Sequence, residues 1–329
     1  MKRPLVEAVA GRPTERTPVW VMRQAGRYLP EYRALRQKYD FQQAVSTPAV
    51  AAEITLQPIE RFAMDGAVIF ADIMTPLEAM GVDIEFAPGP NLRPHPLEEV
   101  ANLSPLDTDR VGFVADTIQL VRAGVPDATA VIGFSGAPIT LLAYLLEGGG
   151  SKDFVSLRAG LRRDPVTAAA ALDNLAASMN RYLAMQIRAG ADVVQLFDSW
   201  AGVLDRGTYA ERAVPAAQRA LAGLDAPRIY FAPHGPHTLE LQAGVGAECF
   251  GVDWRLPLSD AWSRIGGGSI QGNLDPAVLL ADPDTIAREV GSVLESAGDR
   301  AGHVFNLGHG IDRRTPPENL AAMVEAVRG

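Results

Sequence analysis

Short apolar segments alternate with helical segments eight times along this chain of 329 residues, and this alternation limits the fold more than any other feature. The apolar segments lie near Pro18–Met22, Ala67–Phe70, Ala130–Phe134, Asp192–Phe197, Arg228–Phe231, Cys249–Val252, Ser269–Gln271 and His303–Asn306. Alanine- and leucine-rich stretches with helical spacing separate them, such as Pro165–Ala189 and Pro276–Ala297. Strands that alternate with helices imply parallel βαβ units. Eight units predict an α/β fold, the closed (β/α)8 (TIM) barrel.

The alternative to a barrel is an open, doubly wound sheet. That fold would favour a G-x-G-x-x-G turn after the first strand, and the sequence has none there. The Pro- and Gly-rich stretch 87–96 is the best candidate for a domain boundary, but it is short and the strand–helix pattern resumes after it. We therefore predict one domain over residues 1–329.

Composition narrows the possible partners and compartment. A hydrophobic fraction of 47% suits a large core, and no run of 18 uncharged apolar residues predicts a membrane span. The N-terminus lacks the apolar centre of a secretory signal. The single cysteine, Cys249, fits a reducing compartment, so we predict a cytoplasmic protein. The net charge of −9 argues against nucleic acid or an anionic membrane as partner.

Positive charge is nevertheless concentrated near the N-terminus. Residues 23–38 hold five cations against one acid, Glu31. The cations are Arg23, Arg27, Arg33, Arg36 and Lys38. A solvated helix face would explain such a run, and so would a site for a small anionic ligand.

Polar sequences follow the predicted strands, where a barrel carries its active site. These sequences are 23–27, Asp72, 135–138, 198–200, 234–235, Asp253, 272–275 and 308–310. Within the first, Arg23 and Arg27 are four residues apart, and Gly26 lets the backbone approach a ligand. Guanidinium groups bind carboxylates through paired hydrogen bonds.

Each of the other candidates has a structural alternative. Asp72 would either project a carboxylate into the barrel mouth or cap the next helix. Tyr144 is typical of a core or interface position, and Ser199 of a turn. His309 lies between two glycines, which favours a role at the mouth over a structural one.

Metal and Schiff-base chemistry have weaker support. His234, His237 and Cys249 match zinc ligands only loosely. A Schiff base needs a lysine at the mouth, and none directly follows a predicted strand, although Lys152 is near a glycine loop. We predict neither a metal nor a cofactor.

Two long motifs resemble the signatures of the uroporphyrinogen decarboxylase family. They are 22–33 (MRQAGRYLPEYR) and 133–151, which includes Tyr144 and the run Glu147–Ser151. Shorter matches follow in the family's order at 70–73, 195–202, 251–254, 271–276 and 305–310. The resemblance spans nearly the whole chain. One local departure is the charged run 312–314, just after His309.

This resemblance implies a distorted single-domain barrel, a homodimer, and no metal or cofactor. It implies removal of CO2 from the four acetate side chains of uroporphyrinogen III, which gives coproporphyrinogen III for heme synthesis. The substrate-binding residues that carry over are Arg23, Gln24, Ala25, Gly26, Arg27, Asp72, Tyr144, Ser199 and His309. Among them, we predict catalytic roles for Asp72, Arg23 and Arg27. Phe41 is a further candidate for the cleft wall.

Two other functions fit parts of the pattern. A metal-linked methyltransferase would use a similar barrel, but its expected H-x-C pair is absent from the sequence. A tetrapyrrole carrier would use the same basic mouth without catalysis. The proton donor of a decarboxylase stays open, since an arginine is a poor acid and a histidine has an ordinary pKa near 6.5.

Overall fold

A curled sheet of parallel strands forms the centre of the molecule, which a computed structural model describes over residues 3–86 and 89–329. In these residues seven strands follow one another in the order β1-β4-β5-β6-β7-β8-β9. Their bounds are β1 Gly66–Val68, β4 Ala130–Gly136, β5 Val193–Phe197, β6 Arg228–Phe231, β7 Cys249–Gly251, β8 Ser269–Leu274 and β9 His303–Leu307. The short hairpin β2 Glu85–Phe86 and β3 Pro90–Asn91 lies apart from the sheet.

The predicted first strand closes the barrel without forming a regular ladder. Val19 bridges Phe305 of β9 in parallel, and the Asp65 N–H just before β1 donates to the Val19 carbonyl at 2.9 Å. Pro18 has no N–H, and the Val19 N–H donates to the Asp65 carboxylate instead of a backbone carbonyl. A side chain therefore replaces the backbone partner at the eighth position, and the fold is a distorted (β/α)8 barrel of the α/β class.

Helices cover the outside of the sheet. They are α1 Pro4–Val9, α2 Pro30–Arg36, α3 Phe41–Ser46, α4 Pro48–Phe62, α5 Thr75–Ala79, α6 Leu97–Ala101, α7 Gly112–Gly124, α8 Pro138–Glu147, α9 Val155–Arg163, α10 Pro165–Ala189, α11 Arg206–Thr208, α12 Val214–Leu221, α13 Leu239–Gln242, α14 Leu258–Ile265, α15 Pro283–Ala297 and α16 Pro317–Arg328. A π-helical turn, Tyr209–Ala213, joins α11 to α12. Single 3-10 turns occupy Thr108–Val111, Ala201–Val203, Pro236–Thr238, Ala243–Val245 and Pro276–Leu280. No described helix is long and apolar enough to cross a membrane.

The two helices predicted from periodicity had different outcomes. The prediction for α10 is confirmed at both ends, because Asp164 caps its N-terminus and Gly190 ends it in a left-handed conformation. The prediction of one helix over Pro276–Ala297 is wrong. A 3-10 turn stops at Leu280, and α15 begins at Pro283 after the Asp282 cap. A residue that precedes proline disfavours helical geometry, so the segment divides there.

The core lies between the sheet and the helices, as a parallel sheet requires. Every residue of β4, β8 and β9 is buried. Part of the stretch proposed as a domain boundary, Ala87 and Pro88, lies outside the described residues. The C-terminal ends of the strands open together at one end of the barrel, the mouth, and the segments that follow them carry the polar residues.

Candidate active site

The mouth brings together side chains that lie far apart in the sequence. Arg23 follows the closing segment, Asp72 follows β1, Tyr144 lies on α8, and His309 follows β9. Burial raises the pKa of Asp72 and Tyr144 and lowers that of His309. The charge of Arg23 acts on all three groups in the lowering direction, so Arg23 interacts electrostatically with each of them. Ser199 follows β5 beside Trp200, whose ring centroid is 6.1 Å from that of Tyr144.

The basic segment 23–38 divides into supporting and available arginines. Arg33 donates to the carbonyls of Arg27 and Tyr28, and Arg36 donates to the Tyr39 carbonyl. These two side chains hold the loop in shape. Arg23 and Arg27 are exposed, and among residues 3–86 and 89–329 neither guanidinium has a hydrogen-bond or ion-pair partner. Arg23 acts electrostatically on Asp72 and Arg27 on Tyr32, and both guanidiniums of this loop are available to an incoming anion.

Gln24, predicted to bind substrate, has its side chain inside the loop. Its side chain is fully buried, accepts from the Val21 N–H at 3.1 Å and donates to the Gly66 carbonyl at 2.8 Å. Its own backbone N–H donates to Val21, and its carbonyl accepts from the Tyr28 hydroxyl at 2.6 Å. Each polar group of Gln24 already has a protein partner. The residue clamps the loop to β1, which argues against direct contact between its side chain and a substrate.

Glycines determine how closely Arg23 and His309 approach each other. Arg23 has a left-handed backbone, with φ of 63°. A Cβ on Gly310 would lie 2.5 Å from Arg23 Cδ, and one on Gly308 would lie 2.6 Å from the backbone nitrogen of Trp254. A larger residue on either side of His309 would therefore displace the mouth. Ala25 and Gly26 are half-buried in the same loop as Arg23.

Asp72 holds the loop before α5, although it is not the N-cap of that helix, a position that Met74 occupies. Its Oδ1 accepts from the Met74 N–H at 2.8 Å. Among the described residues, Oδ2 has no partner. Burial raises the pKa of this carboxyl, against the Met74 hydrogen bond and the Arg23 charge, which lower it. One oxygen thus holds the loop, and the other is available in a desolvated cleft.

An aromatic cluster forms the wall beside Asp72. The Phe41 ring lies 5.8 Å from that of Phe70 and 5.0 Å from that of Phe86, between ring centroids. Tyr32 packs against Phe70 at 5.8 Å, and the Arg36 guanidinium lies over Phe41. Aromatic faces of this kind suit a flat ring, so the position of Phe41 agrees with a place in the cleft wall.

Tyr144 and His309 present neutral groups at the mouth. Burial raises the pKa of Tyr144, so its hydroxyl keeps its proton at neutral pH. Burial lowers the pKa of His309 to about 4, and the charges of Arg23 and His234 lower it in the same direction. An uncharged imidazole and an uncharged phenol can each donate one hydrogen bond to a carboxylate.

Asp198, which the sequence did not single out as a site residue, lies beneath Ser199. Its carboxylate is 1% exposed and accepts from the Thr140 hydroxyl at 2.8 Å and the Tyr230 hydroxyl at 2.7 Å. The Thr140 hydroxyl also accepts a hydrogen bond from the backbone N–H of Trp200 at 3.1 Å. This network fixes the segment that carries Ser199 and Trp200. The only sequence signal for Asp198 was its place in a polar run after a strand. Its hydrogen-bond partners Thr140 and Tyr230 are more than 30 residues away in the sequence, so no local pattern marks them.

The buried carboxylate predicts a pH-dependent contribution to stability. Burial raises the pKa of Asp198 from 3.8 to about 6, although the bonds from Tyr230 and Thr140 oppose this. Between these values the folded state binds the proton more tightly, so the free energy of unfolding falls as pH rises from about 4 to 6, by on the order of 3 kcal/mol. We expect Asp198→Asn to remove this component in urea denaturation followed at several pH values. Exposed Asp225→Asn is the control, and an unchanged pH profile in Asp198→Asn would contradict the expectation.

The loose zinc pattern is not assembled in the structure. Cys249 is buried in β7, where burial raises its thiol pKa. His237 Nε2 lies 2.7 Å from the Leu204 carbonyl, and His234 faces His309. Within the part of the chain that the structure describes, no three His, Cys, Asp or Glu residues are placed to hold a metal ion.

A neighbouring surface cavity is less suited to an anion. It has a volume of about 660 Å³. Its charged lining residues are Glu78, Asp83, Glu85, Arg93 and Arg110. Three acids against two arginines would repel a polyanion, whereas the mouth offers Arg23 and Arg27 without partners. A (β/α)8 barrel with unpaired guanidiniums and a desolvated carboxylate at its mouth belongs to the class of barrel enzymes that act on small anionic substrates.

The comparisons with known proteins identify the family. The chain matches the family described as uroporphyrinogen decarboxylase over residues 1–329. Proteins named uroporphyrinogen decarboxylase are 40% identical in Geotalea daltonii, covering 99% of this chain and 98% of the relative. In Legionella pneumophila the identity is 43%, with 98% and 95% covered. The chain belongs to the uroporphyrinogen decarboxylase family.

Solved structures of more distant proteins share the fold. A methyltransferase from Methanosarcina mazei superposes with a TM-score of 0.83 at 21% identity, covering 98% of this chain and 97% of that one. A B12-independent methionine synthase from Listeria monocytogenes gives a TM-score of 0.59 at 12% identity, covering 99% and 98%. These likenesses concern the barrel alone.

Proposed function

We propose that the chain removes CO2 from the four acetate side chains of uroporphyrinogen III to give coproporphyrinogen III. The observation that carries the proposal is a desolvated carboxylate, Asp72, beside the charge of Arg23 in a barrel of this family, with Arg23 and Arg27 both unpartnered among the described residues. Uroporphyrinogen carries eight carboxylates around four pyrrole rings. The carboxylates need cationic partners, and the pyrrole N–H groups need a hydrogen-bond acceptor.

Arg23 and Arg27 bind substrate carboxylates. A guanidinium stays charged in a partly desolvated site and donates two parallel hydrogen bonds to one carboxylate. Tyr144, Ser199 and His309 add neutral donors, which bind a carboxylate without a large local charge. Ala25 and Gly26 contribute backbone to the same loop.

Decarboxylation needs an acceptor for the electron pair of the broken C–C bond. A proton added to the pyrrole carbon beside the acetate arm makes a cation that accepts this pair as CO2 leaves. A second proton then converts the exocyclic CH2 to a methyl group, and the first proton leaves the ring. Asp72 Oδ2 accepts hydrogen bonds from the pyrrole N–H groups and so stabilises the cation. This stabilisation is largest where positive charge develops in the transition state.

The proton donor is restricted by the charge state of His309. With a pKa of about 4, this imidazole is neutral at pH 7 and holds no acidic proton before substrate binds. A bound carboxylate would offset the charges of Arg23 and His234 and raise that pKa. His309 would then take up a proton in the complex only.

The remaining parts of the proposal concern the setting of the enzyme. Residues 1–329 act as one domain, and the enzyme works without a metal or an organic cofactor because the pyrrole itself receives the electrons. It is a homodimer in the cytoplasm, and the family resemblance supports both statements.

Anaerobic incubation of the chelator-treated protein with uroporphyrinogen III tests the function. The products are oxidised and separated by their number of carboxylates. We expect a ladder from seven carboxylates down to four. Unchanged eight-carboxylate substrate in the presence of folded protein would contradict the proposal, and retention of that substrate on the protein would then indicate a carrier.

A further inference from the structure

We propose that Arg255 and His234 form a second carboxylate-binding subsite, which orients a side chain of the tetrapyrrole that is not being decarboxylated. The inference rests on the proposed function and adds to it. Arg255 follows β7 and His234 follows β6, and β8 and β9 separate these strands from the loop of Arg23. The subsite therefore lies on another side of the mouth.

Asp253 builds the subsite from a nearly buried position, with a side chain 10% exposed. Its Oδ2 accepts from the His234 backbone N–H at 2.7 Å and from Arg255 Nη1 at 2.8 Å. Its Oδ1 accepts from the Arg255 N–H at 3.0 Å, and Asn273 donates to its carbonyl at 2.9 Å. One of these hydrogen bonds ties the loop after β6 to the loop after β7, one anchors Asp253 to β8, and the other two hold Arg255.

The Arg255 guanidinium is held in orientation yet remains available. It lies over the Trp254 ring, 4.4 Å from the centroid, and its side chain is 41% exposed. Nε and Nη2 have no partner within residues 3–86 and 89–329. One edge of the group is engaged by Asp253, and the remaining N–H groups can bind a carboxylate. A preorganised arginine loses little side-chain entropy when it binds.

Contacts with His309 connect the subsite to the mouth. The His234 and His309 ring centroids are 6.1 Å apart, and the charge of Arg255 lowers the pKa of His309. His234 has a left-handed backbone, with φ of 64°, which is costly for a residue other than glycine. The bond from its N–H to Asp253 holds this conformation and directs the residue toward His309.

The substrate supplies a reason for the subsite. Each decarboxylation removes CO2 from one acetate while Asp72 binds the pyrrole N–H groups, so the other carboxylates need partners elsewhere. Arg23 and Arg27 can engage only a few of them. A carboxylate held at Arg255 is bound equally in the ground and transition states, so its loss should raise KM and leave kcat nearly unchanged.

The test compares Arg255→Met with Arg300→Met. Methionine keeps an apolar stem over Trp254 and removes the charge. Arg300 lies over the Trp262 ring just before β9, at the opposite end of the barrel, so it controls for loss of a stacked surface arginine. We expect Arg255→Met to raise KM for uroporphyrinogen roughly 10- to 100-fold, with kcat changed by less than about 3-fold, and Arg300→Met to change neither.

An unchanged KM in Arg255→Met, or an equal rise in Arg300→Met, would overturn the subsite. If Arg255→Met fails to fold, Arg255→Lys replaces it, and KM should rise several-fold because lysine lacks the paired donors. Binding of uroporphyrin, the oxidised eight-carboxylate analogue, is measured in parallel by quenching of tryptophan fluorescence. A parent chain that binds uroporphyrin but does not decarboxylate would refute the proposed function, whereas affinity equal in parent and Arg255→Met would refute the subsite.

Discussion

We expect Asp72→Asn to lower kcat for uroporphyrinogen roughly 100- to 1000-fold, a loss of about 3–4 kcal/mol in transition-state stabilisation. Asparagine keeps an oxygen that can accept the Met74 N–H, so the turn before α5 should survive. The variant loses the negative charge in a cleft where burial already raises the carboxyl pKa. Because a desolvated charge interacts strongly with a developing cation, this substitution should affect turnover more than any other.

Single-turnover rates under anaerobic conditions provide the measurement. Asp282→Asn is the matched control, since Asp282 is an exposed carboxylate that likewise accepts a backbone N–H, that of Thr285, at the start of α15. Urea denaturation checks that both variants are folded. Near-normal turnover in folded Asp72→Asn would show that the pyrrole cation is stabilised by another group.

The raised pKa of Asp72 also predicts the acid side of the pH profile. If the carboxylate form is required, activity is lost as pH falls through a pKa above the usual carboxyl range of about 4. The sign follows from burial, which disfavours the charged form. The Asp72→Asn variant should lack this acid limb.

Arg23→Met should lower kcat/KM by roughly 100-fold or more, the second largest effect expected. Among the described residues the guanidinium has no hydrogen-bond or ion-pair partner, so its loss breaks no such contact and the fold is retained. The cost arises from the substrate carboxylate, which loses a charge-assisted contact of about 1.5–3 kcal/mol, and from Asp72, which loses a nearby cation.

This second substitution has a distinctive titration signature. Removing a cation raises the pKa of Asp72, because the carboxylate is less favoured, and raises that of His309, because the imidazolium is less opposed. The acid limb of activity should therefore move to higher pH, and the histidine NMR titration should move upward from about 4. Arg158→Met, on the exposed face of α9, is the control. An unmoved His309 titration would contradict the electrostatic coupling.

Local sequence signals predicted the features that depend on neighbouring residues. The strand–helix alternation predicted the barrel, and helical spacing predicted α10 over Pro165–Ala189, because periodicity is a local property. The polar residues predicted to follow the strands do lie in the segments after the strand ends, because strand ends are set by local pattern. The same reasoning failed over Pro276–Ala297, where a 3-10 turn ends at Leu280 and a separate helix begins at Pro283, although the apolar spacing continues.

The sequence by itself determined the fold class and the family, because periodicity and motifs lie in short stretches of chain. Only the tertiary structure decided which arginines remain free, that Gln24 clamps the loop to β1, and that Asp198 is buried beneath Ser199. It also decided that the His309 imidazole is neutral. These properties arise from burial and from contacts between residues tens to hundreds of positions apart, which no local pattern encodes.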